Sequence, residues 1–136
     1  MNTSRIKSDH DTLYASMDEL RRLVQAGVAG NADALFAELK KLNATIKLHL
    51  AIEDRMLYPA LAGASDPRVS AVGKRFQHEM GGLATAYGDF TARWDTAMRI
   101  GADPERFGRE AASLLDALHA RIQHEDRELL PLAELL

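Results

Sequence analysis

Apolar residues recur every three or four positions in four segments, separated by three breaks that carry glycine or proline. In the first, Ile6, His10, Leu13, Met17, Leu20 and Val24 share a face; Ser4 is the expected N-cap and Gly27-Val28-Ala29-Gly30 the stop. The second starts near Asn31 and carries Leu35, Leu39, Leu42, Ile46, His49 and Glu53 towards Pro59, with Met56 and Leu57 continuing the stripe. The third opens with Asp66 as cap and Pro67 at the first helical position. Its apolar face is Val69, Val72, Phe76, Leu83, Tyr87, Phe90 and Trp94, and the pattern extends to Ile100 before Gly101-Ala102-Asp103-Pro104 interrupts it. The fourth runs from Asp103-Pro104 to near Leu136, with Phe107, Ala111, Leu114, Leu118, Ile122, Glu125 and Leu129 inward. Short connections make neighbouring helices antiparallel, so the pattern predicts an all-α, up-down-up-down four-helix bundle over residues 1–136, read as one domain.

Two of the stripe positions on the second helix are not apolar. His49 and Glu53 are four residues apart, about 40° around the helix axis and one turn along it, so both side chains point at the same place. A carboxylate buried beside an imidazole is costly unless a metal, a cationic side chain or a polar network meets it. His-x-x-x-Glu alone is a common pair on helix surfaces; its company gives it weight. His10 lies in the stripe of the first helix, Glu125 in that of the fourth, and both fall at the same end of the bundle. Glu53-Asp54-Arg55-Met56-Leu57-Tyr58-Pro59 is echoed by Glu125-Asp126-Arg127-Glu128-Leu129-Leu130-Pro131, a shared frame Glu-Asp-Arg-x-Leu-x-Pro that sets Glu53 and Glu125 at similar depth. Two carboxylates meeting in a core need a shared cation or a shared proton.

The third helix offers His78 or Glu79. His78 lies about 150° from the mean direction of the apolar stripe and reads as a surface residue in a regular helix, whereas Glu79 sits nearer the stripe's edge. Glu79 is therefore the expected contributor, and His78 takes its place only if Gly81-Gly82 shifts the register. On the fourth helix Arg121 precedes Glu125 by four residues, where His49 stands relative to Glu53. It is a fixed cation able to pair with Glu53, Glu79 or Glu125, or else a side chain snorkelling at the surface. His119 borders the apolar face and is the other inward candidate; His124 faces out. Tyr14, Tyr58 and Tyr87 read as core or rim aromatics, with a supporting hydrogen-bond role as the alternative.

Composition narrows the chemistry further. The chain of 136 residues has no cysteine, so thiolate sites and disulfides are excluded and any metal must be held by His, Asp and Glu. The net charge of -3, with basic residues scattered among acidic ones, leaves no stripe for nucleic acid, and no apolar run is long enough to span a membrane. The N-terminus lacks the apolar stretch of a secretory signal, and a cytoplasmic location is the expectation. No nucleophile–base pair, phosphate-binding loop or dinucleotide fingerprint is visible, so a non-catalytic role is favoured over an enzymatic one.

These residues resemble the hemerythrin family, the HHE cation-binding domain. Asp9-His10-Asp11-x-Leu13, His49-x-x-x-Glu53 with Leu57-Tyr58-Pro59, Phe76-x-His78-Glu79, and Arg121-x-x-x-Glu125 with Leu129-Leu130-Pro131 fall in the family's order along essentially the whole chain. The resemblance implies a four-helix bundle built to hold a non-haem di-iron centre, with His10 and His49 on one metal and Glu53 and Glu125 bridging. The second metal's histidines are missing: its third-helix position reads as Glu79 or His78, and its fourth-helix position as Arg121 unless His119 substitutes. The expected ligands are thus His10, His49, Glu53, Glu79 and Glu125, with His78 and His119 in reserve and Arg121 standing in for the second metal. The expected cofactor is iron, as one or two ions, with manganese, zinc or no metal as alternatives; the expected partners are the metal and dioxygen or a related small ligand. A metal-free regulatory or protein-interaction module, in which Arg121 neutralises the core acids, is the competing expectation. A carboxylate-bridged oxidase fits less well: Lys7, Ile46, Arg75, Asp116 and Arg121 precede the five histidines by three, so no Glu-x-x-His pair exists. The expected assembly is a monomer or a homodimer.

Overall fold

Four antiparallel helical rods form the bundle that the periodicity predicts. The computed structural model describes residues 1–136 and contains no strand. Helix α1 is Ser4–Ala26, and a single 3-10 turn, Ala29–Asn31, leads into α2, Ala32–Ile52. A π-helical turn, Glu53–Leu57, joins α2 to the short α3, Tyr58–Ala62. After α4, Pro67–Arg93, come a short α5, Ala97–Ala102, and α6, Pro104–His124. A second π turn, Glu125–Leu129, leads to α7, Leu130–Glu134. Helix α1 packs on α2 and α6, and α4 on α3 and α6.

Local chemistry explains most of the boundaries. Asp66 accepts a hydrogen bond from the Arg68 N–H at 2.9 Å and Asp103 accepts one from the Arg106 N–H at 3.4 Å, each followed by the proline that opens its helix. Gly27 takes φ 122°, a left-handed conformation that side chains with a Cβ resist, and α1 stops there. Two expected boundaries move. Thr3, not Ser4, is the residue flanking α1. The third rod ends at Arg93 rather than running to Ile100: Trp94 leaves helical geometry with its indole buried edge-on against Phe107, and Thr96 restarts the chain by accepting from the Arg99 N–H.

The shared frame Glu-Asp-Arg-x-Leu-x-Pro coincides with the two π turns. Pro59 and Pro131 have no N–H to donate, and each ring crowds the carbonyl four residues earlier. The chain widens instead, and the N–H groups of Tyr58 and Leu130 donate to the carbonyls of Glu53 and Glu125, five residues back. The extra residue rotates the downstream positions about the helix axis. Leu57 and Tyr58 are buried, while Met56, expected on the inner stripe, is 59% exposed.

Two apolar clusters fill the interior. The larger contains Leu13, Ile46, Tyr87, Phe107 and Ile122; the smaller contains Ile6, Leu57, Tyr58, Phe76, Leu129 and Leu130. Along α1, α2 and α6 the residues between these clusters are His10, His49, Glu53 and Glu125, so one polar layer divides the core.

The packing separates two glycines of α4. A Cβ on Gly73 would lie 2.6 Å from Leu61 Cβ, at the crossing with α3, whereas a Cβ on Gly82 meets nothing within 4 Å. Gly73→Ala is expected to cost about 1–3 kcal/mol through overpacking, and Gly82→Ala to add about 0.5–1 kcal/mol through helix propensity. Urea denaturation checks both, and the same sign for the two would contradict the packing.

Candidate metal centre

His10 comes from the second turn of α1, His49 from the last turn of α2, and Glu53 and Glu125 each open a π turn. All four side chains are buried, and one potential ligand atom from each lies within 4.8 Å of the others. The imidazoles present Nε2 inward. His10 Nε2 is 3.1 Å from Glu125 Oε1; His49 Nε2 abuts Glu53 Oε1 and is 4.0 Å from Glu125 Oε1. The ring centroids are 4.9 Å apart, edge to face. On the outer side, His10 Nδ1 lies 2.6 Å from Asp126 Oδ1 and His49 Nδ1 lies 3.4 Å from Asp9 Oδ2. Glu53 Oε1 is buried against His49 Nε2 in an ion pair, without a well-formed hydrogen bond.

Arg121 closes the other flank. Its side chain is only 8% exposed, which rules out the snorkelling alternative. Nε donates to Glu125 Oε2 at 3.1 Å, Nη1 to Glu79 Oε2 at 3.3 Å, and Nη2 to the Phe76 carbonyl at 2.6 Å and to the Tyr58 hydroxyl oxygen at 3.1 Å. The guanidinium carbon stands 4.5 Å from the centre of the Phe76 ring. Tyr58 passes the chain of donors on: its hydroxyl donates to Glu53 Oε2 at 2.6 Å and lies 3.4 Å from Glu125 Oε2. Burial, with two carboxylates beside it, pushes the phenol far above its ordinary range, so Tyr58 remains a donor.

Charge in this layer is tightly coupled. Burial, and the neighbouring Glu53, drive the Glu125 carboxyl up against the opposing pull of His10 and Arg121. Burial acts on Glu53 in the same direction, but hydrogen bonds and charge from His49 outweigh it and the carboxyl is held down. Both imidazoles resist burial through their carboxylate partners and are held above the ordinary histidine range. With Arg121 fixed as a cation, the two core carboxylates are matched by one permanent positive charge. A metal cation would take the place of the protons on the imidazoles, and the donor set of two imidazole nitrogens and two carboxylates suits a divalent transition metal.

The structure brings His10, His49, Glu53 and Glu125 together and leaves the other candidates outside. Glu79, the expected contribution of the third helix, is exposed; it reaches the layer only through Arg121 and lies 3.8 Å from Arg75 Nε. His78 points to solvent, because α4 runs unbroken through Gly81-Gly82 and turns Phe76 and Met80 inward instead. His119 is half-buried against Tyr14, ring centroids 5.0 Å apart, so Arg121 is the inward residue of α6. Tyr87 bonds Asn43 rather than the site. Asp9 and Asp126 were not singled out by the sequence. The available signal is adjacency: each directly neighbours a core-facing ligand-type residue. A cavity of about 30 Å³ adjoins the layer, walled by Met17, Leu42, Ile46 and Met80 and large enough for a water-sized molecule.

A family model described as the hemerythrin HHE cation binding domain matches residues 1–133 of the chain. No curated protein and no solved structure matches it.

Removing the fixed cation should cost more than removing the phenol. In metal-free protein Arg121→Met is expected to lose about 3 kcal/mol or more, because Glu125 keeps its burial and loses its charge partner. Tyr58→Phe is expected to lose about 1–3 kcal/mol, the cost of one missing donor to a buried carboxylate. Chemical denaturation at neutral pH measures both, and the reverse order would contradict the assignment of Arg121 as the core cation.

Proposed function

The chain belongs to the hemerythrin HHE cation-binding family, and from that premise we propose that it holds one divalent transition metal between His10, His49, Glu53 and Glu125. Iron is the first choice, with manganese and zinc as alternatives that the same donors accept. The observation that carries the reading is the convergence of two Nε2 atoms and two carboxylates in one buried layer, within 4.8 Å of one another.

Arg121 argues for one ion rather than two. Glu53 and Glu125 bring two negative charges and Arg121 returns one; a divalent ion leaves the layer one positive charge, which Asp126 behind His10 offsets, Asp9 being paired with Arg5. A second divalent ion on the α4 side would face a guanidinium already bonded to Glu125, Tyr58 and Phe76. When bound, the metal would supply redox or Lewis-acid chemistry beside the small apolar cavity. The chain's own part is to hold both carboxylates in place through Tyr58 and Arg121, and to keep bulk water out with Leu13, Met17, Leu42 and Ile46. With such a site we further propose a cytoplasmic role in the handling or sensing of iron, oxygen or redox state.

The second reading, a metal-free regulatory or interaction module, is favoured by one observation: Arg121 already neutralises part of the acid layer. Elemental analysis of protein purified without chelators separates the two. The metal reading expects about one transition-metal ion per chain, rising towards two in Arg121→His. The metal-free reading expects no bound ion in either form and a large loss of stability in Arg121→His. Absence of stoichiometric metal after purification and after reconstitution would end the first reading.

A further inference from the structure

His10 is gripped at both ring nitrogens by consecutive residues of one π turn. Glu125 Oε1 faces Nε2 at 3.1 Å on the pocket side, and Asp126 Oδ1 faces Nδ1 at 2.6 Å on the outer side. His49 repeats the arrangement more loosely, with Glu53 Oε1 against Nε2 and Asp9 Oδ2 at 3.4 Å from Nδ1. A neutral imidazole has one nitrogen that donates and one that accepts, so an outer carboxylate that takes the Nδ1–H leaves the Nε2 lone pair facing inward. We infer that Asp126 and Asp9 are positioning residues that hold the Nδ1–H of each imidazole outward, so that both Nε2 atoms are aimed at the pocket and offer their lone pairs to an ion that takes the place of the Nε2 proton. The inference rests on the proposal that the layer binds a metal.

The wiring crosses between helices. His10 on α1 is oriented from the π turn after α6, and His49 on α2 is oriented from α1 by the residue directly before His10. Each imidazole is therefore aimed by an element other than its own, and α1 supplies one ligand while aiming another. The two clasps are unequal. Asp126 makes the shorter contact, whereas Asp9 also accepts from Arg5 Nε at 3.1 Å. Asp126 is 38% exposed at the side chain, so its replacement removes an acceptor without opening a hole in the core.

The test is a titration of the metal-free chain with Co(II), read by competition with a chromophoric chelator and by ligand-field absorption. Asp126→Ala is expected to weaken Co(II) binding by about ten- to a hundred-fold and to alter the absorption bands at saturation. Asp126→Asn, whose side-chain oxygen still accepts from Nδ1–H, should recover most of the affinity and the original bands. Asp9→Ala should lose less than Asp126→Ala. Unchanged affinity and bands in Asp126→Ala would overturn the inference, as would equal losses in Asp126→Ala and Asp126→Asn, since charge rather than orientation would then be what Asp126 supplies. If Asp126→Ala does not fold, Asp9→Ala carries the same comparison, and unchanged binding there overturns it. Failure of the unaltered chain to take up Co(II) would instead overturn the metal-binding reading, and this inference with it.

Discussion

Glu53 and Glu125 are two carboxylates buried in one layer of a helical core, and the rest of the site is arranged around the positive charge they require. Neither can be left bare, because an uncompensated carboxylate in such surroundings costs several kcal/mol. Arg121 meets part of the demand from the α4 side, Tyr58 donates to Glu53, and two imidazoles face the pair from α1 and α2. Glu53 Oε1 pairs with His49 Nε2 without a well-formed hydrogen bond, and the demand is least met there. Apolar clusters lie on both sides of the layer, and the cavity of about 30 Å³ adjoins it.

Backbone geometry places the acids where they meet. Each opens a π turn that ends just before a proline, and the widened turn lets its carbonyl accept a bond from five residues on. The same device occurs twice because the same local sequence occurs twice. In the second copy it also sets adjacent acids on opposite sides of one imidazole, Glu125 inward and Asp126 outward. Local chain chemistry, helix packing and site chemistry are thus linked through two short segments.

The bundle was legible because four amphipathic stripes with proline and glycine punctuation leave little choice of architecture. The converging quartet was legible for a related reason: His10, His49, Glu53 and Glu125 each occupy positions the periodicity reserves for apolar side chains. Periodicity failed where the helix departs from 3.6 residues per turn, as at Met56, and where tertiary contact ends a helix, as at Trp94. It also overreached on α4. Glu79 lies near the edge of a stripe, and whether an edge residue turns in or out depends on the neighbour; here Arg121 meets it at the rim. Asp9 and Asp126 carry no periodic signal, since their role is defined by the ring nitrogens of residues on other elements.

The family to which the chain belongs binds cations, and this member carries an arginine inside the acid layer, bonded to Glu125 and to the phenol beside Glu53. The proposed arrangement is a division of labour in which a guanidinium and one metal ion share two carboxylates. A crystal of the iron-loaded protein measured at the iron absorption edge tests this most directly. One anomalous peak per chain among His10, His49, Glu53 and Glu125, with Arg121 still bonded to Glu125, is the predicted result. Two peaks with Arg121 displaced, or no peak in the layer, would contradict it.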